Sequence, residues 1–307
     1  KVSQLFEETK LFIDHQDNIY VKLRSGLEKF DPQGNVEQIV FADTERDVGA
    51  LQIDDSGNYY FSSGWGGTIK SKLIQKYSTD GSLVWEHDAA YIRDIRLSED
   101  NNSLYVLSGD EISKFQASDY KKEWSQSGSF EYGTSFLDVD QAGNVYLFFQ
   151  QNKEIKEGNV TASLSSTVLR KYDNFGNLLF EKRFEEDKVN YLPKEMNVRN
   201  DHIYLAVHSY PLFGDSKDVS HGSFIAKLNS EDGREVWRQS PSSEDSQFTV
   251  YGLSANDEGN LWTGFGFHLT WRAAEDYHVE STFGDFTHEQ SFSPTGGWKF
   301  NLASLEP

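Results

Sequence analysis

The sequence predicts an all-β fold, a six-bladed β-propeller of four-stranded antiparallel blades, and three observations carry that reading. A turn followed by an apolar–aromatic pair recurs six times, ending at Tyr20, Tyr60, Tyr105, Tyr146, Tyr204 and Trp262. A Lys followed by an apolar residue also recurs six times, at Lys29, Lys76, Lys114, Lys171, Lys227 and Lys299, in strict alternation with the first anchor. No segment sustains an apolar period of 3.6 residues, so the short apolar runs between turns read as strands.

Within each unit the elements follow in a fixed order, here called A to D. Strand A is a short apolar or alternating run, such as residues 51–53, 95–97, 137–139 or 196–198. A tight turn ends it, best seen in Asp54-Asp-Ser-Gly-Asn58 and Asp140-Gln-Ala-Gly-Asn144. Gly and Asn tolerate the positive φ that such turns need. Strand B carries the aromatic anchor and strand C the Lys. A second turn, such as Asp31-Pro-Gln-Gly-Asn35 or Asp173-Asn-Phe-Gly-Asn177, leads to strand D, which bears Trp85, Trp124, Phe180 or Trp237. Four-stranded units repeating at such spacing mark a propeller.

The predicted blades are residues 11–48, 49–92, 93–133, 134–192, 193–248 and 249–307, within a single domain spanning 1–307. Only seven residues follow Phe300, and the apolar segment 1–10 has no blade of its own. The expectation is therefore that the N-terminal segment supplies strand D of the last blade and closes the ring, removing open sheet edges.

Composition narrows the function. The 307 residues carry a formal charge of −20, which repels phosphate backbones and anionic lipid and so argues against nucleic-acid partners. No apolar run is long enough to span a bilayer, so no membrane insertion is expected. The chain has no Cys, which excludes disulfides and thiolate metal sites. Lacking an initiator Met and a leader, it reads as a processed chain or a piece of a longer protein, located outside the cell, at its surface or in the periplasm.

Residues 224–237 and 250–262 resemble the bacterial β-propeller repeat of secreted and surface proteins, and residues 73–85 do so as well. The portion running from Lys through a Gly-bearing turn to Trp is also similar to quinoprotein propeller repeats. The resemblance implies the fold and no catalytic residue, because function on such a scaffold lives in its loops.

The B–C connections single out one rim. From aromatic anchor to Lys, ends included, they span 10, 17 and 10 residues in blades 1 to 3, and 26, 24 and 38 residues in blades 4 to 6. Long loops gathered at one end of a rigid scaffold are where binding normally lies. Blade 4 offers a polar loop over residues 150–167. Blade 5 offers His208 and Tyr210; blade 6 offers His268, Trp271, Arg272, Tyr277, His278 and Trp298. Trp65 and Arg93 belong to the same rim of blades 2 and 3. Aromatic platforms among polar groups suit a small molecule or a sugar, and the leading expectation is a monomeric ligand-binding module. An extracellular hydrolase or lyase using rim carboxylates and histidines is the alternative, and a protein–protein platform a third.

No cofactor is firmly implied. The acidic turns at Asp54-Asp55 and Asp140 offer carboxylates of the kind that hold Ca²⁺, but fewer than a dedicated calcium loop provides. Five of the eight His fall in the blade 5 and 6 loops, without the compact spacing of a zinc site. The Asp box of sialidases, a Gly-x-Ser-x-Gly elbow and a phosphate-cradling Gly loop are all absent.

Overall fold

The computed structural model describes residues 11–13, 16–23, 26–40, 48–63, 73–89, 92–128, 134–157, 160–212, 222–240, 247–255, 261–268, 277–283, 286–292 and 301–305. It is a β-propeller of four-stranded antiparallel meanders, and the chain divides into two compact units, Lys1–Gly128 and Ser129–Pro307.

The first unit holds three blades. Blade 1 is β1 (Leu11–Ile13), β2 (Ile19–Leu23), β3 (Gly26–Phe30) and β4 (Val36–Val40). Blade 2 is β5 (Val48–Ile53), β6 (Tyr59–Ser63), β7 (Leu73–Tyr77) and β8 (Leu83–Asp88). Blade 3 is β9 (Ile92–Leu97), β10 (Ser103–Ser108), β11 (Glu111–Gln116) and β12 (Lys122–Ser127). In each, strands pair in chain order.

The second unit holds blade 4, with β13 (Ser135–Val139), β14 (Val145–Glu157), β15 (Val160–Tyr172) and β16 (Leu178–Phe184). Blade 5 follows with β17 (Val189–Arg199), β18 (His202–Pro211), β19 (Gly222–Asn229) and β20 (Glu235–Gln239). Next come β21 (Gln247–Ala255), β22 (Leu261–His268), the separate hairpin β23 (Tyr277–Phe283) and β24 (Phe286–Phe292), and β25 (Asn301–Leu305).

Among the described residues, five blades and not six are complete. The sixth repeat gives a three-stranded sheet in the order β21-β22-β25, and no described strand pairs with the outer edge of β25. Residues 1–10, expected to supply that strand, lie outside the described residues, so closure by the termini is not part of the observed fold. The sixth Lys also misleads: Trp262 pairs with Ser304, not with Lys299. The resemblance of Lys299-Phe300 to the other anchors is one of composition, whereas cross-strand register decides which residue faces the aromatic.

In the complete blades both anchors stand on one row across the sheet. Gln52, Tyr60, Lys76 and Trp85 face one another across β5 to β8. Blade 3 repeats the row with Arg96, Tyr105, Lys114 and Trp124. Blade 4 has Asp138, Tyr146, Lys171 and Phe180, and blade 5 has Asn197, Tyr204, Lys227 and Trp237. In all five blades the Lys ammonium lies over the Tyr ring, at 4.7 Å in blade 2 and 5.8 Å in blade 1. A cation over an aromatic face is attracted by the ring quadrupole, so the row recurs because it holds strand B to strand C. Past the Lys the register slips by one residue, and the extra outer-strand residue (Val84, Glu123, Leu179 or Val236) forms a bulge.

Apolar cores fill the seams between neighbouring blades. Phe136, Tyr146, Phe148 and Leu169 of blade 4 pack on Met196, Leu205, Val207 and Phe224 of blade 5. Ala206 and Ile225 of blade 5 pack on Val250 and Leu253 of β21. A polar device on the innermost strands adds to this. Asp138 Oδ2 accepts the backbone N–H of Val198 at 2.7 Å, and Asn197 Oδ1 that of Ala255 at 3.3 Å. Acceptor and donor occupy equivalent positions in these successive repeats, so Asp138 and Asn197 tie the inner strands of blade 4, blade 5 and the sixth repeat to one another.

Candidate functional site

The long connections of the second unit extend the scaffold in an ordered way. The polar stretch 150–167 is not a loop: β14 and β15 continue as one hairpin, paired from Val145–Tyr172 to Glu157–Val160. Period-two alternation explains it, since Ile155, Ala162 and Leu164 are half-buried on one face while polar residues occupy the other. Only Gly158-Asn159 remains between the paired ends, a two-residue hairpin signal present in the sequence. Blade 5 extends likewise, with Val189 to Pro193 of β17 paired to Pro211 to Val207 of β18.

The two extensions meet. β16 pairs with β15 only as far as Thr167, so the edge of β15 beyond it needs other partners. Strand β17 supplies them: Asn190 Oδ1 accepts the backbone N–H of Ser165 at 2.8 Å, and Thr167 Oγ1 donates to Tyr191 O at 2.8 Å. Around this junction Gln150 Nε2 donates to Asn152 Oδ1 and Ser165 Oγ, at 2.9 and 3.0 Å, and Ser165 Oγ donates to Asn152 Oδ1 at 2.8 Å. The apolar seam of blades 4 and 5 therefore becomes a network of neutral amides and hydroxyls toward the rim.

Of the predicted site residues, the structure brings His208 and Tyr210 together. They lie two apart on β18, their rings 5.9 Å apart and inclined by 31°. His208 Nδ1 is 3.3 Å from Ser223 Oγ, which also accepts the backbone N–H of Val250 on β21 at 3.2 Å. With Ser223 1% exposed, this His–Ser pair locks a seam and is not an accessible nucleophile. Tyr210 is 37% exposed and presents a ring to solvent. Tyr191 donates its hydroxyl to Glu186 at 2.9 Å; burial first, and then that carboxylate, push its phenol up to about 12.

Other predicted residues are placed less fully. His268 ends β22 opposite Gln247; Tyr277 and His278 start β23, opposite Phe292 and Ser291. Trp65, Trp271, Arg272 and Trp298 lie outside the described residues. Arg93 is half-buried on β9 in the first unit. The residues missed by sequence reasoning are Gln150, Asn152, Ser165 and Asn190. The signal of the first three was the run of amides and hydroxyls at alternate positions along the two halves of the hairpin; Asn190, on β17, carried none.

The acidic turns use their carboxylates internally. Asp54 Oδ1 accepts the N–H groups of Ser56 and Asn58, and Oδ2 accepts Asn58 Nδ2 and the Tyr60 hydroxyl. Asp140 is engaged in the same way by Asn144 and Tyr146. Among the described residues no three His, Asp or Glu side chains are grouped so as to hold a metal ion.

The chain matches no protein-family model and no curated protein. It is similar in structure to bacterial propellers: selenomethionine-substituted virginiamycin B lyase from Staphylococcus aureus (10% identity, TM-score 0.58, covering 92% of this chain and 83% of that one). A streptogramin B lyase gives 14% identity and a TM-score of 0.55, over 82% and 74% of the two chains. Catalytically inactive virginiamycin B lyase from S. aureus with quinupristin gives 12% and 0.54, over 83% and 76%. At such identities the likeness is one of fold, and the class it defines is the β-propeller.

Proposed function

We propose that the chain is an extracellular, cell-surface or periplasmic ligand-binding module whose site is the rim bearing the long B–C connections of blades 4 and 5 and the sixth repeat, with a glycan as ligand. One observation carries the reading. Strands β14–β15 and β17–β18 both run past the ends of the ordinary blade strands on the same rim, and there they carry polar side chains and, on β18, the exposed ring of Tyr210. Rigid strands hold a binding face better than free loops do, and a ring beside amides and hydroxyls suits an amphipathic ligand. The His208 and Tyr210 rings lie 5.9 Å apart on β18, and in this proposal His268, Trp271, Arg272, Tyr277, His278 and Trp298 of the sixth repeat supply further groups to the ligand.

The test is a glycan array probed with the intact chain, run beside a thermal-shift screen of small molecules. Binding that falls at least about tenfold in Tyr210→Ala, with an unchanged unfolding midpoint, supports the reading. Ligands whose affinity is insensitive to both Tyr210→Ala and Trp271→Ala would count against this rim. Turnover of a bound glycan would instead favour a propeller hydrolase or lyase.

A further inference from the structure

We infer that Ser223 holds His208 as a neutral imidazole with its hydrogen on Nε2, and that this pair is a proton-sensitive joint between the rim end of blade 5 and the sixth repeat. The joint is independent of the binding role proposed above. Ser223 stands opposite His208 in the pairing of β18 with β19, and its Oγ is 3.3 Å from His208 Nδ1. The same Oγ accepts the backbone N–H of Val250 on β21 at 3.2 Å. Below it Tyr204, Ala206 and Ile225 of blade 5 share an apolar core with Val250 and Leu253. Ser223 lies two residues from Ile225, on the same face of β19 and toward the rim. Tyr210 lies two residues beyond His208 on one face of β18, so the exposed ring of the rim is carried by the strand end that this joint holds.

The hydrogen bonds assign the protons. A backbone N–H only donates, so Val250 takes a lone pair of Oγ and the hydroxyl hydrogen still needs an acceptor. Ser223 is 1% exposed, and among the described residues its side chain bonds to Val250 and His208. The hydroxyl therefore donates to His208 Nδ1, and the ring hydrogen is on Nε2. Protonation adds a hydrogen to Nδ1. Two N–H groups then point at one oxygen, whose own hydrogen has lost its acceptor in a place closed to water. A cation beside the Tyr210 ring, 5.9 Å away, regains part of that loss through the ring quadrupole, but less than an orphaned buried hydroxyl costs. The groups set against His208 are Leu192 on β17, Ser223 on β19 and, through Ser223, Val250 on β21, none of them charged. Titratable neighbours along these elements are Tyr210 on β18, Lys194 and Glu195 at the bulge of β17, and His268, opposite Gln247 of β21 at the rim end of β22. Asp218 and His221, between β18 and β19, lie outside the described residues. Because the folded chain takes up the proton on His208 less readily than the unfolded one, the seam is tight above the ordinary histidine range, about pH 6.5, and loosens as the pH falls through it.

Nitrogen NMR of the intact chain, carrying isotope-labelled histidine, reads the tautomer directly. The signals of His208, identified by their loss in His208→Asn, should show at pH 8 a hydrogen on Nε2 and none on Nδ1. The Nδ1–H tautomer, or an even mixture of the two, overturns the inference. Amide hydrogen exchange reads the seam. Protection of the Val250 amide, corrected for the intrinsic pH dependence of exchange, should fall about tenfold between pH 8 and pH 5. His208→Asn sets an amide oxygen close to the place of Nδ1 and does not titrate, so the same change should shrink to less than about twofold. Protection that does not change with pH in the parent chain, or that falls as far in His208→Asn, overturns the inference too. Ser223→Ala should release His208 into a mixture of tautomers, whereas Ser223→Thr, which keeps the hydroxyl, should retain the single one. One tautomer persisting in Ser223→Ala overturns the role of Ser223; should that variant fail to fold, the NMR and exchange of the parent chain and of His208→Asn decide.

Discussion

Replacing Asp54 by Ala should destabilise the first unit far more than the same change at Asp31, although both residues open the same Asp-x-x-Gly-Asn turn. At Asp31 the carboxylate accepts the N–H groups of Gln33 and Asn35 at 3.0 and 2.7 Å, and Asn35 Nδ2 at 2.6 Å, all in an exposed turn. Asp54 makes the matching three contacts at 3.0, 2.8 and 2.8 Å. It also accepts the Tyr60 hydroxyl at 3.2 Å, and Asp54 and Tyr60 are only 6% and 1% exposed. Water can replace the lost carboxylate at Asp31 but not at Asp54, where a buried hydroxyl would be left without an acceptor. A hydrogen bond to a charged group contributes about 1.5–3 kcal/mol, and an orphaned buried hydroxyl costs about 1–3 kcal/mol, so Asp54→Ala should cost about 3 kcal/mol. In urea unfolding of the intact chain, followed by tryptophan fluorescence, that is a midpoint shift on the order of 1 M. Adding Tyr60→Phe removes the orphaned hydroxyl and should recover about 1 kcal/mol or more. Equal losses for Asp31→Ala and Asp54→Ala, or no recovery with Tyr60→Phe, would refute the reasoning.

Two further outcomes follow from the same turns and rows. Hydrogen bonds within their own turns hold the carboxyls of Asp31, Asp80, Asp100, Asp173 and Asp232 below the usual 3.8. Folded groups with depressed pKa values contribute stability that is complete above the unfolded pKa and lost as pH falls through the folded one. The unfolding midpoint should therefore fall progressively below about pH 4, and replacing all five by Asn should flatten that limb; an unchanged slope would sink the explanation. Trp85 Nε1 is the one buried side-chain polar atom without a partner among the described residues, its ring set edge-on to Tyr60 at 6.0 Å. Trp85→Phe removes the unmet donor while keeping an aromatic on the row, so its cost should stay within about 1 kcal/mol; a loss above 3 kcal/mol on thermal unfolding, the range of a large core deletion, would show that the packing of the larger indole outweighs the relief of its unmet donor.

Much of the architecture was legible in local pattern. Turn residues and period-two runs placed the strands, and the recurrence of Tyr and Lys identified a row that every complete blade builds. The polar hairpin of blade 4 was not read, because seven polar residues among the last eight of one strand look like loop until Ile155, Ala162 and Leu164 are seen to share a face. Gln150, Asn152, Ser165 and Asn190 escaped for a related reason: amides and hydroxyls carry no motif, and their meaning arises only where two extensions meet.

By itself the sequence determined an all-β propeller of meandering blades, the identity of the residues that recur for structural reasons, and a formal charge of −20. These are consequences of backbone preference and side-chain alternation over a few residues. Tertiary structure decided that five blades are complete, that Ser304 and not Lys299 faces Trp262, that the Asp54 and Asp140 carboxylates serve their turns, and that Asn190 joins the rim of blade 4 to that of blade 5. Each of those depends on which strand lies beside which and in what register. Register is set by burial and pairing between residues far apart in the chain, which no local pattern encodes.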